Sequence, residues 1–185
     1  MPEVRLLGIP GSIRRHATSK AVLEALRVRL TETGTATMTL FGLEALPLFN
    51  TDLEVDGFPD SVVALHDAIR MSDGLVLCSP EYNYGVSGVL KNGLDWASRP
   101  ALRSPLKGKP TLILTAAPSA VGGARAAHQV RETLVSCLAR VVPRPDIAIP
   151  RVHEKIVDGK FIDEAVLEAA VRAVEDLVAE INHWR

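Results

Sequence analysis

The sequence predicts an α/β fold in which helices cover both faces of a doubly wound, five-stranded parallel sheet. Three observations predict it. Short apolar runs alternate with longer segments of helical periodicity, the pattern of stacked βα units. One of those runs, residues 74–78 (GLVLC), is apolar without a break, as expected for a strand buried on both faces. The chain's 185 residues, 47% hydrophobic and 23% charged, suit one globular domain over residues 1–185 with a single full-sized core.

The first apolar run, residues 4–9, ends at Pro10-Gly11. Helical spacing follows from about Ser19, with Val22, Leu26 and Leu30 on one face. Residues 36–41 (ATMTLF) read as the second strand, and Pro59-Asp60-Ser61 as the start of a helix carrying Val62, Leu65 and Ile69. The third strand stops at Ser79-Pro80. After EYNYG, a third helix carries Val86, Leu90 and Leu94. Residues 110–116 are the fourth strand. The helix after it, about residues 124–138, turns Val130, Leu134 and Cys137 inward. A fifth strand is expected around residues 147–149. The last helix begins near Asp163 and aligns Leu167, Val171, Val174, Val178 and Ile181. Five strands and five helices in this order match a three-layer sandwich of flavodoxin type. In such a sheet ligands sit beyond the carboxyl ends of the strands, at the switch in strand order. Chemistry is therefore expected in the loops after the first, third and fourth strands.

Composition narrows the function classes. With 21 Lys+Arg against 22 Asp+Glu, the net charge of −1 argues against general nucleic-acid binding, which needs a basic surface. The longest uncharged run, residues 110–124, holds two prolines and two glycines and is too short to span a bilayer. The opening residues carry no apolar stretch of signal-peptide type. Two cysteines without a CxxC fit a reducing, cytoplasmic compartment. Cys78 and Cys137 read as small buried hydrophobes. The five histidines show no metal-ligand spacing; His66 and His183 read as surface residues, and His128 as structural. No Gly-x-Ser-x-Gly elbow supports a hydrolase.

The first loop, GIPGSIRRHATS, offers Gly11 for a tight backbone, hydroxyls at Ser12, Thr18 and Ser19, and charge at Arg14 and Arg15. With the free amides and dipole of the following helix, these groups suit a phosphate. Neither G-x-G-x-x-G nor a P-loop is present, and the hydroxyl-rich length suits a terminal monophosphate. An ordinary polar βα loop remains the plain alternative. The third-strand loop holds both tyrosines of the chain, Tyr82 and Tyr84, around Asn83. Flat rings with polar tips pack well on a fused-ring ligand. An amide matches a ring edge that alternates carbonyl and N–H groups. Trp96 reads as core or subunit-interface packing. The fourth-strand loop, TAAPSAVGGAR, is small and nearly uncharged, leaving room for a planar ring. Arg125 suits a carboxylate across a subunit interface, the phosphate of a nucleotide, or plain solvent.

The stretch SPEYNYGVSGVLKNGLDWASRP resembles the signature of NADPH-dependent FMN reductases, the flavodoxin-like group that includes quinone and chromate reductases. The resemblance continues into GSIRR and into GKPTLILTAAPSAVGGARA, and so covers nearly the whole chain. It implies noncovalent FMN. Gly11, Ser12, Arg14 and Ser19, with the intervening backbone of Ile13, Ala17 and Thr18, would hold the phosphate. Pro80, Glu81, Tyr82, Asn83 and Tyr84 would contact the ribityl chain and isoalloxazine, largely through backbone. Ala116, Ala117, Ser119 and Gly122 would lie beside the ring. In one departure, the family commonly shows Ser-x-Asn where this chain has Ala17-Thr18-Ser19, so a hydroxyl and an amide are lost.

The resemblance further implies ping-pong transfer of hydride from NADPH or NADH through the flavin to a small-molecule acceptor: a quinone, azo or nitro compound, chromate or free flavin. No dedicated acid–base residue is expected, because the cofactor carries the reaction. A homodimer or tetramer is implied, with neither nucleic acid nor membrane as partner. A flavodoxin-like carrier without NAD(P)H turnover is the second reading, disfavoured by the near-neutral charge. A scaffold with an empty pocket is the third.

Overall fold

The computed structural model describes residues 3–184. In chain order the elements begin with strand β1 (Arg5–Pro10), helix α1 (Thr18–Thr33), β2 (Thr37–Leu40), α2 (Asp60–Met71) and β3 (Gly74–Ser79). A short hairpin, β4 (Glu81–Tyr82) and β5 (Gly85–Val86), leads into α3 (Gly88–Ala97). Then come β6 (Pro110–Ala116), α4 (Ala124–Ser136), β7 (Arg140–Val141) and β8 (Ile147–Ile149). A second hairpin, β9 (Ile156–Val157) and β10 (Lys160–Phe161), precedes α5 (Glu164–His183).

The central sheet runs β2-β1-β3-β6 with all pairs parallel. Its register places Pro10 beside Cys78, and Ser79 beside Thr115, so the carboxyl ends of β1, β3 and β6 form one continuous rim. The chain reverses its winding between β1 and β3, which is the switch point of a flavodoxin-like sheet.

The fifth strand position is filled in two pieces. β7 pairs with Pro110 and Thr111, and β8 with Leu114 through Ala116. Pro143 and Pro145 lie between the pieces. A proline has no N–H to give to a ladder, which explains the interruption. The sequence pattern anticipates only the second piece.

Side chains alternate across the strands, so the sheet has two apolar faces. Leu6, Val76, Leu112 and Leu114 meet Leu23, Leu26 and Leu30 of α1 and Leu177 and Ile181 of α5. Leu7, Leu75, Leu77 and Ile113 meet Leu65 and Ile69 of α2, Leu90 and Leu94 of α3, and Val130 and Leu134 of α4. Trp96 is buried, as expected. Its Nε1 donates to Pro47 O at 2.9 Å, and Asn92, one turn earlier, donates to the same carbonyl at 2.9 Å.

Three expectations are corrected. His66 is buried, not on the surface. Its Nε2 lies 2.9 Å from Trp96 O, and its ring stands edge-on to Phe58. A carbonyl only accepts, so Nε2 carries the proton, and burial pulls the imidazole below its ordinary pKa. Val86 belongs to the hairpin, not to α3, because Ser87 caps the helix: its Oγ accepts from Leu90 N at 3.2 Å. Cys137 is only half-buried, since α4 ends at Ser136 and leaves it at the cap. Cys78, by contrast, is wholly enclosed, and burial pushes its thiol up to about 12.

Candidate functional site

Gly11 turns the chain at the end of β1 by lying against the end of β3. Its N–H donates to Cys78 O at 2.8 Å. A Cβ there would stand 3.1 Å from Pro80 Cδ and 3.2 Å from Cys78 O, so only glycine fits without displacing a neighbour. Ser87 Oγ donates to Gly11 O at 2.6 Å and thereby joins the first loop to the end of the second. Helical spacing carried back to Val86 misses Ser87 as the cap, and the bond to Gly11 is a tertiary fact.

Helix α1 opens from this loop with Ala17 at its N-cap, and no side chain caps it. The first amides of an α-helix have no partner within the helix, so this end can receive an anion. Arg14 and Arg15 are exposed nearby and Thr18 is half-exposed. Ser12 Oγ accepts from Arg14 N at 3.4 Å.

Three buried side-chain polar atoms lack a hydrogen-bond partner among the described residues. One, Arg144 Nη1, faces the Asp176 carboxylate at 3.0 Å and is accounted for by that ion pair. The other two are Ser19 Oγ, in the first turn of α1, and Thr115 Oγ1, at the carboxyl end of β6. An unmet buried hydroxyl costs about 1–3 kcal/mol. Both orphans fall near the rim where a polar ligand is expected, which fits a phosphorylated ligand.

The second loop folds as the β4–β5 hairpin. Tyr82 pairs with Gly85, and the two-residue turn is Asn83 (φ 50°) and Tyr84 (φ 63°). Two positive φ values define the type I′ turn whose twist suits a hairpin, and Asn-Gly is its favoured sequence. Tyrosine in the glycine position is strained. Glu81 directs its carboxylate to the N-terminus of α4. There its Oε2 accepts from Arg125 N at 3.0 Å and Ala126 N at 3.1 Å, standing in for the cap that Gly123 lacks. Arg125 Nη1 reaches Oε1 at 3.4 Å, and its guanidinium lies 4.3 Å from the centre of the Tyr84 ring. The carboxylate that Arg125 meets here is Glu81 of its own chain, a partner outside the roles the sequence suggested.

In the third loop Ala116 and Ala117 are buried, and Ser119 is exposed. Gly122 (φ 63°) sits so close to β8 that a Cβ would come within 2.8 Å of the Ile149 backbone.

Glu81, Asn83, Tyr84, Ala117, Pro118 and Ser119 enclose a cleft of about 430 Å³, within the ordinary range for a small-molecule site. Pro118 was not among the predicted residues. Tyr82 and the first-loop residues do not line this cleft. Residues 15–18 instead border a separate cavity of about 620 Å³, bounded by α1, the β9–β10 hairpin and the start of α5. Arg29 and Glu164, both in its lining, pair at 2.5 Å. The uncapped end of α1 and the aromatic cleft thus share one rim without forming one cavity.

This fold defines a flavodoxin-like α/β protein, with an aromatic cleft on the carboxyl rim of its sheet. The family model described as NADPH-dependent FMN reductase matches residues 4–154, and the chain belongs to that family. It is 34% identical over 184 residues to the NAD(P)H-dependent FMN reductase PA1204 of Pseudomonas aeruginosa, covering 99% of this chain and 98% of that protein. It is 34% identical over 169 residues to a quinone reductase of Escherichia coli, covering 90% and 89%. Among solved structures, the FerB flavoenzyme NAD(P)H:(acceptor) oxidoreductase of Paracoccus denitrificans superposes with a TM-score of 0.80 at 28% identity, covering 97% of this chain and 98% of that one. No helix among the described residues is long and apolar enough to cross a membrane.

Proposed function

We propose that this chain, as a single domain, holds FMN along the carboxyl edge of its sheet. There it catalyses electron transfer from NAD(P)H to quinones and related acceptors. The observation that carries the reading is the aromatic cleft between the loops after β3 and β6, on the same sheet edge as a helix N-terminus that no side chain caps. When bound, FMN supplies the two-electron chemistry, taking hydride from a nicotinamide and passing electrons to an acceptor. The uncapped end of α1, with Ser12, Arg14 and Thr18, receives the phosphate. The hydroxyls of Ser19 and Thr115 gain polar partners when the site is filled. Asn83 and Tyr84 face the ring from one lip, and Ala117 and Ser119 from the other.

The cleft supplies no general base. Its one carboxylate, Glu81, is engaged by two amides and a guanidinium of α4. This supports a reaction that needs position and electrostatics rather than proton transfer from a side chain. One small cleft serving donor and acceptor in turn suits a ping-pong order. Its small, nearly uncharged far lip suits a broad range of acceptors: quinones, azo and nitro compounds, chromate and free flavin. The chain works as a cytoplasmic homodimer or tetramer.

The test is the visible spectrum of the purified protein, before and after NADPH under anaerobic conditions. A yellow protein that bleaches within seconds supports the reading. Bleaching that requires a separate reductase marks an electron carrier instead, and a colourless protein that takes up no FMN overturns the proposal.

A further inference from the structure

The tip of the β4–β5 hairpin is held in a backbone conformation its sequence does not favour. Asn83 accepts the left-handed region readily, but Tyr84, at φ 63°, does not. Something outside the turn must hold it. Helix α4 grips the hairpin at three points. Glu81 anchors its base through the amides of Arg125 and Ala126. Gln129 Oε1 accepts from Val86 N at 2.9 Å on the returning strand. The third point is Arg125, whose guanidinium lies over the Tyr84 ring at 4.3 Å. Of the three, only Arg125 touches the tip itself, and Glu81 also steadies the guanidinium. Arg125 does not line the cleft, whereas Asn83 and Tyr84 do.

We infer that Arg125 is a positioning residue for the flavin: by stacking on Tyr84 it holds the Asn83–Tyr84 turn in the posture that faces the isoalloxazine. The inference rests on the FMN reading above. Arginine suits the role better than lysine, because its planar face stacks on an aromatic ring while its edge still reaches a carboxylate.

A double-mutant cycle on FMN affinity tests it, using Arg125→Met, Tyr84→Asn and the double variant of the full chain. Asparagine tolerates the left-handed conformation but has no ring for Arg125 to cover. Affinity is read from quenching of flavin fluorescence, and ring posture from the visible circular dichroism of the bound flavin. Arg125→Met alone is expected to weaken binding about threefold to tenfold and to alter the dichroism. In the Tyr84→Asn chain the same change should weaken it less than about twofold, and Arg125→Lys should restore only part of the loss. Binding unchanged by Arg125→Met overturns the inference. So does an equal loss in both backgrounds, or full rescue by lysine, since each means that charge or general stability is at work. A parent chain that binds no FMN overturns the FMN reading itself, whereas a parent that binds FMN regardless of Arg125 overturns the positioning role alone.

Discussion

His66 shows how one carbonyl can draw a polar side chain into an apolar layer. Its position beside Leu65 on α2 reads as exposed by helical spacing alone, yet Trp96 O accepts its N–H and the Phe58 ring packs against the imidazole. Because burial lowers the folded-state pKa below the ordinary 6.5, the unfolded chain binds the extra proton first as the solution is acidified. The stability from neutral, buried His66 is therefore complete above about pH 6.5 and is lost as pH falls through the window below it. His66→Gln keeps a donor for Trp96 O but does not titrate there. Urea midpoints at pH 7.5 and 5.5 should fall further for the parent than for the variant, and equal falls would refute the assignment. Ala17 and Ser19 teach a related lesson at the first loop. The sequence names the hydroxyls available, but it does not reveal that Ser19 points into an enclosure without a partner while Ala17 takes the capping position.

At the scale of elements, the unusual join is between the β4–β5 hairpin and α4. Helix α4 begins at a left-handed Gly123 that has no side chain to cap it, and the carboxylate of Glu81 comes from 44 residues earlier in sequence to fill the role. The side chain of Glu81 is only 6% exposed, so its charge acts with little solvent screening on the amides and on the positive end of the helix. Glu81→Gln keeps an acceptor but removes the charge. It should lower unfolding free energy by about 1–2 kcal/mol in urea titrations, and a change smaller than about 0.3 kcal/mol would show that the oxygen alone suffices. None of this was visible in the pattern of residues 79–86, where Glu81 reads only as one more member of the ring-contacting loop. Local patterns place helices and strands; which carboxylate caps which helix depends on register between strands far apart in sequence. The broken fifth strand makes the opposite point. Pro143 and Pro145 stand in plain view in the sequence, and their missing donors account for the gap between β7 and β8.

For the whole molecule, the fold was legible because each level agreed. The unbroken apolar run of β3 is buried along its entire length, and the helical stripes of α1 and α5 cover the face that Val76 and Leu112 present. The sequence placed the candidate loops on one rim, but not the division between a cleft and a separate cavity, since that depends on how α1 and the second hairpin pack. A ligand that binds only the folded chain stabilises it by mass action. FMN at about 100 times its dissociation constant should add about 2.7 kcal/mol to unfolding free energy. Riboflavin at the same concentration should add much less, because it lacks the group meant for the end of α1; equal shifts in melting temperature would remove the phosphate from the account. The bond from Ser87 to Gly11 has its own consequence. In the proposed site, a tail drawn into the opening turn would pull, through one hydroxyl, on the base of the helix that follows the aromatic lip, and grip and aim would be mechanically one property. On that proposal, drift toward new acceptors without loss of hold would be easiest at residues 117–119, the lip that this tether does not reach.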